Sequence, residues 1–120
     1  MVIIIETGIY IRVSTEEQAQ NGYSIRAQME KLSVYSKIKD WNVIDFYIDE
    51  GISGKNISKR KELIRLIEDI KAKKVNNVLV YKIDRLTRST KDLIELVELF
   101  NKYNCSFNSL NESIDTKSST

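Results

Sequence analysis

The sequence predicts an α/β domain with a mostly parallel sheet. Short β-rich runs alternate with amphipathic helical patterns along most of the chain. The helical stretches are long enough to cross from one parallel strand to the next. Polar or Asn- and Gly-bearing segments punctuate the alternation and mark its turns.

Each element follows from its residues. Ile9-Tyr10-Ile11-Arg12-Val13 reads as the first strand. A polar stretch over 14–23 follows, with Asn21-Gly22 as its turn signal. Ser24 reads as an N-cap, and Ile25, Met29, Leu32 and Tyr35 recur behind it at helical spacing. Val43 to Ile48 is the second strand, and Asp49 to Ser58 a loop carrying Gly51 and Gly54. Leu63, Leu66, Ile67 and Ile70 share one face of a helix over 60–73. Asn76-Asn77 reads as the turn into a buried strand, Val78 to Tyr81. Ile83 to Arg88 reads as a loop, after which Ser89 or Thr90 caps a helix with Leu93, Ile94, Val97 and Phe100 inward. Cys105 to Leu110 is a fourth strand, and the tail from Glu112 is polar.

Composition narrows the chemistry. The 120 residues fit one domain, with 42% hydrophobic and 30% charged residues, no histidine, no proline and one cysteine. Lacking histidine, the chain has no Ser-His-Asp triad, no Cys-His pair and no imidazole base. One cysteine excludes an internal disulfide, and the usual zinc sites are excluded with it. There is no phosphate loop and no dinucleotide fingerprint. No apolar run is long enough to span a membrane, so a cytoplasmic protein is expected. The net charge of +2 does not by itself announce a nucleic-acid partner.

Ligands of open α/β sheets bind at the carboxyl ends of the strands. Three polar segments leave strands there. The third, Lys82 to Arg88, sets Asp84 among cations just before a helix N-terminus, where Arg85 and Arg88 could clamp an oxyanion. A solvated basic turn with Asp84 paired to an arginine is the plainer reading. The second bears Lys55, Lys59, Arg60, Lys61 and Arg65 against Glu62, a net +4 that suits a polyanion if it faces the same edge. Asp49 is read there as an orienter of cations. The first ends a strand on Arg12-Val13-Ser14, whose alternation puts Arg12 and Ser14 on one side. Ser14 is either a nucleophile beside a cation or an ordinary strand-end serine. Gln18 and Gln28 add neutral hydrogen-bonding groups.

Together these pieces resemble the serine recombinases of the resolvase/invertase superfamily, and most of all the large serine recombinases. Tyr10-Ile11-Arg12-Val13-Ser14-Thr15 resembles their nucleophile motif. Gly22 to Gln28, the loop Asp49-Glu50-Gly51-Ile52-Ser53-Gly54 and the basic segment Lys59 to Leu63 are similar to further family segments. Asp84-Arg85-Leu86-Thr87-Arg88 matches the D-R-L-x-R signature, and Ser109 to Thr116 resembles the end of the catalytic domain. The motifs run in order from Tyr10 to Thr116.

The resemblance implies a three-layer resolvase-like domain, with about four to five strands flanked by helices, over residues 1–120. It implies that Ser14 attacks a DNA phosphodiester and becomes joined to the 5′ phosphate. Arg12, Arg60, Arg85 and Arg88 would surround that phosphate, Gln18 and Gln28 would lie near the nucleophile, and Asp49 and Asp84 would support the cluster. No metal or nucleotide cofactor is implied. Double-stranded DNA and self-association into a dimer and synaptic tetramer are the implied partners. Asp84, an arginine-stabilised alkoxide or water could take the Ser14 proton, and Arg88 is the candidate donor to the leaving oxygen. The family's long dimerisation helix and DNA-binding domains are expected to follow this domain. Glu6-Thr7-Gly8 interrupts the apolar start and departs from the family pattern. A catalytically silent regulatory relic and a metal-dependent nuclease using Asp49 and Asp84 are the competing readings.

Overall fold

A computed structural model describes residues 4–13, 25–50 and 60–112. Its order is β1 (Glu6–Val13), α1 (Ile25–Ile38), β2 (Asn42–Glu50), α2 (Lys61–Lys71), β3 (Asn77–Val80), α3 (Ile83–Leu86), α4 (Thr90–Lys102) and β4 (Ser106–Ser109). The four strands form one sheet in the order β2-β1-β3-β4, and every neighbouring pair is parallel. The predicted α/β class and flanking helices are therefore what the chain adopts.

Alternation on the central strand divides the core into two layers. Ile9 and Ile11 pack with Leu32 of α1 and Leu79 of β3. Tyr10 points the other way, into Leu63, Leu66 and Ile70 of α2, Phe100 of α4 and Phe107 of β4. Register slips between Thr7 and Gly8, where Val43 and Asp45 are the successive partners and Ile44 is passed over. That extra residue lets odd-numbered Val43 share a layer with even-numbered Phe46 and Ile48.

Several boundaries depart from the pattern. Glu6-Thr7-Gly8 continues β1 rather than interrupting it. Thr7 accepts from the Asn77 amide, and Asn42 donates to Glu6, so polar partners in neighbouring strands hold these residues in the sheet. Asp49 and Glu50 end β2 instead of opening a loop. Asn77 begins β3, and the turn lies earlier, at Lys73. Ile83 to Leu86 is a short helix, not a loop. On α4, Ile94 is 53% exposed and Leu96 is buried in its place. The Ser14–Tyr23 stretch, the Ser24 cap, Gly51 and Gly54 lie outside the described residues.

All three helix-to-strand turns share one geometry. Asp40, Lys73 and Asn104 take positive φ (62°, 62° and 57°). The next amide then reaches back five residues, from Trp41 to Ser36, Lys74 to Asp69 and Cys105 to Phe100. This is the Schellman closure, here made without glycine.

Gly8 allows α2 to sit close on β1. A Cβ there would stand 2.8 Å from Leu66 Cδ1 and 3.0 Å from Tyr47 Cε1. Gly8→Ala should destabilise the fold by about 1–3 kcal/mol, read as a lower urea midpoint at unchanged m-value. Burial pushes the Cys105 thiol up to about 12. Its contribution to stability is present below the ordinary thiol value of 9.0 and is lost as pH rises from there through about 12. Cys105→Ala should therefore flatten the fall in stability across that window in chemical denaturation.

Candidate active site

The site is built around α3, at the carboxyl edge of the sheet. A four-residue helix satisfies only its first carbonyl, which takes the Thr87 amide at 3.1 Å, and the oxygens of Asp84, Arg85 and Leu86 need partners from outside it. Two buried guanidiniums supply them. Arg12, on β1, donates from Nη2 to the Asp84 carbonyl at 2.6 Å and from Nε to the Arg85 carbonyl at 3.3 Å. Arg60 donates from Nη2 to the Leu86 carbonyl. Arg85 returns the contact, with Nη1 3.4 Å from the Arg12 carbonyl, while its Nε pairs with Asp84 Oδ1 at 3.1 Å.

Arg60 reaches this point because of how α2 begins. It is the N-cap residue and has no side-chain acceptor to offer the first turn. Asp49, from β2, does that work in its place. Its Oδ1 accepts from the Glu62 amide at 3.0 Å and its Oδ2 from the Leu63 amide at 3.2 Å. Cap and strand are thereby locked together, and the Arg60 side chain turns inward.

Tyr10 joins the two. Its hydroxyl donates to Asp49 Oδ2 at 2.7 Å and accepts from Arg60 Nε at 3.0 Å, with the Arg60 guanidinium 5.1 Å from the ring centroid. Burial drives the Tyr10 pKa well above the usual phenol value, and the Asp49 carboxylate adds to the rise against the opposing pull of Arg60. Tyr10 therefore stays neutral and can donate and accept at once.

Arg12, Arg60 and Arg85 are each no more than 2% exposed. Asp49 is buried with them, while the Asp84 side chain is 49% exposed. Among the described residues, one donor of the cluster, Arg60 Nη1, is buried without a hydrogen-bond partner. Guanidinium keeps its charge when buried, so this cluster is a fixed positive centre.

The remaining candidates fall elsewhere. Arg85 points back to β1 and not to the α4 N-terminus, so the expected two-arginine clamp there does not form. The Ser89 hydroxyl caps α4 by accepting from the Asp92 amide. Arg88 is exposed and borders an open groove of about 580 Å³ with Lys82, Asp84, Thr87 and Glu112. Gln28 is buried on α1, in line with Leu32 and Ser36. Arg65 leaves the expected cationic edge, since it pairs with Asp45 and Glu62 and lies over the Tyr47 ring. Ser14, Gln18, Lys55 and Lys59 lie outside the described residues.

Two contributors stood in motif segments without a role assigned to them. The Tyr10 ring is core, but its hydroxyl belongs to the site. Glu112, in the segment that resembles the end of the catalytic domain, accepts from the Ile83 amide at the start of α3. Among the described residues no group of three or more potential metal ligands occurs, and no helix is long and apolar enough to cross a membrane. Tyr10→Phe removes one oxygen that serves two buried charges. It should cost about 1–3 kcal/mol in chemical denaturation, more than a surface Tyr→Phe change.

Known proteins share this fold. The chain aligns over 95% of its length with the N-terminal catalytic domain of TP901-1 integrase, at 47% identity and a TM-score of 0.88, covering 84% of that chain. A putative DNA recombinase of Bacillus subtilis (strain 168) is 43% identical over 79 residues, which are 66% of this chain and 15% of that protein. An uncharacterized immunity region protein 3 of Bacillus phage phi105 is 60% identical over 52 residues, 43% of this chain and 63% of that protein. The chain thus spans less than two-thirds of either curated relative. The model of the resolvase N-terminal domain matches residues 7–120. The chain accordingly belongs to the resolvase N-terminal domain family, as a serine recombinase catalytic domain.

Proposed function

We propose that this domain cuts and rejoins duplex DNA in site-specific recombination, with Ser14 as the nucleophile. The observation that carries the reading is the cluster of Arg12, Arg60 and Arg85, buried at the strand ends with one Arg60 donor unpartnered among the described residues. Burying three guanidiniums is costly unless something negative compensates them. Asp49 orients Arg60 through Tyr10 and Asp84 pairs with Arg85, and a phosphate anion at this edge would complement the buried cations.

In the proposed step the Ser14 Oγ–P bond forms and the P–O3′ bond breaks. The serine proton passes to Asp84 or to water, and the leaving 3′ oxygen takes a proton from exposed Arg88, which regains it from solvent water. The 3′ hydroxyl of a partner strand later attacks the phosphoserine, restoring a phosphodiester and Ser14. Such transition states spread charge over the non-bridging oxygens, where fixed cations act strongly because they need not reorganise. The Asp49 carboxylate is engaged by Tyr10 and two amides, which fits an orienting role better than a metal-ligand role. Duplex DNA is the proposed partner, and assembly into a dimer and synaptic tetramer belongs to the whole recombinase.

A recombinase carrying this domain, mixed with a pool of labelled duplexes, should form a covalent protein–DNA adduct that survives denaturing gels. Ser14→Ala should abolish it, and excess chelator should not. Adduct from Ser14→Ala would overturn the nucleophile assignment. Arg12→Lys keeps the charge but loses the fork on α3, and should slow cleavage by about 10²–10³-fold. A rate loss no greater than the loss of folded protein would make Arg12 structural only.

A further inference from the structure

We infer that Glu112 is a positioning residue for the reaction, acting through α3; the inference rests on the recombinase reading above. Pairing between β3 and β4 continues past the strand ends. The Leu110 amide donates to the Val80 carbonyl at 2.9 Å and the Asn111 amide to the Tyr81 carbonyl at 3.1 Å. This zipper delivers Glu112 to the first turn of α3. There its Oε1 accepts from the Ile83 amide at 3.1 Å and from the Ser109 hydroxyl.

The first amides of a helix lack partners within it, and a carboxylate suits their partial positive charge. Lys82, the N-cap of α3, offers no side-chain acceptor. Glu112 takes the role from 29 residues away. The helix is therefore held at both ends, by a carboxylate on its amides and by Arg12 and Arg60 on its carbonyls. Freeing the amide end lets α3 shift against the guanidiniums that it registers. Such a misplacement of the cations lowers the rate, and because Glu112 itself carries no positive charge toward DNA, binding is expected to change little.

Two measurements test this. In the 120-residue chain, amide exchange read by NMR should show Ile83 losing protection in Glu112→Ala and keeping it in Glu112→Gln, which preserves the acceptor. In the recombinase carrying this domain, with the duplex its parent selects from the labelled pool, Glu112→Ala should slow adduct formation about 10–100-fold at saturating DNA. The half-saturating DNA concentration should stay within about twofold of the parent's, and Glu112→Gln should recover most of the rate. Unchanged Ile83 exchange in Glu112→Ala overturns the inference, as does a full rate or a defect confined to DNA affinity. A parent protein that forms no adduct overturns the recombinase reading instead, and exchange still decides whether Glu112 holds α3.

Discussion

The carbonyls of a helix too short to satisfy itself are the constraint on which the site depends. The last three residues of α3 present their oxygens toward β1 and α2, and buried guanidiniums meet them. Arginine suits this task because its planar fork can engage two carbonyls at once without losing its charge. The same contacts that close the helix also fix where the cations stand. Stability and electrostatics are thus supplied by one set of hydrogen bonds.

That arrangement is expensive in isolation. Guanidiniums removed from water need partners on every side, and removing one partner from a buried charge costs several kcal/mol (about 3–5). Tyr10 spreads the load by linking Arg60 to Asp49, and Asp49 in turn ties β2 to the start of α2. β1 contributes Tyr10 and Arg12 to the network, β2 contributes Asp49, the start of α2 contributes Arg60, and α3 contributes Asp84 and Arg85. A domain built this way couples its members, since Tyr10, Asp49 and Arg60 share hydrogen bonds and Arg12 and Arg85 contact each other's backbone.

Legibility followed the range of the interactions. Core strands and helices were readable because Ile9, Ile11, Leu32, Leu63, Leu66 and Ile70 repeat at intervals set by local geometry. The site residues were nameable from their place at the strand ends and their motif resemblance, but their contacts were not. Arg12 meets Arg85 across 73 positions and Glu112 meets Ile83 across 29, and no local pattern encodes such pairs. Tyr10 was hidden by having two roles, because an apolar ring in a strand looks like core whatever its hydroxyl touches. Arg65 misled for the opposite reason, as its neighbours on the folded surface, Asp45 and Tyr47, belong to β2 and not to its own helix. Lys73 gave no turn signal, since it is neither the glycine nor the Asn or Asp that a left-handed position favours.

The three helix-to-strand turns have a consequence of their own. An L-residue in the left-handed region carries about 1–2 kcal/mol of steric cost, which glycine avoids at a smaller entropic penalty of about 0.5–1 kcal/mol. All three sit at the amino ends of the strands, on the side of the sheet opposite the arginine cluster. The domain therefore holds an untapped stability reserve at a distance from its chemistry. Replacement by glycine there offers a background in which weakened variants of the charged network would still fold, so that their chemistry could be measured apart from their stability.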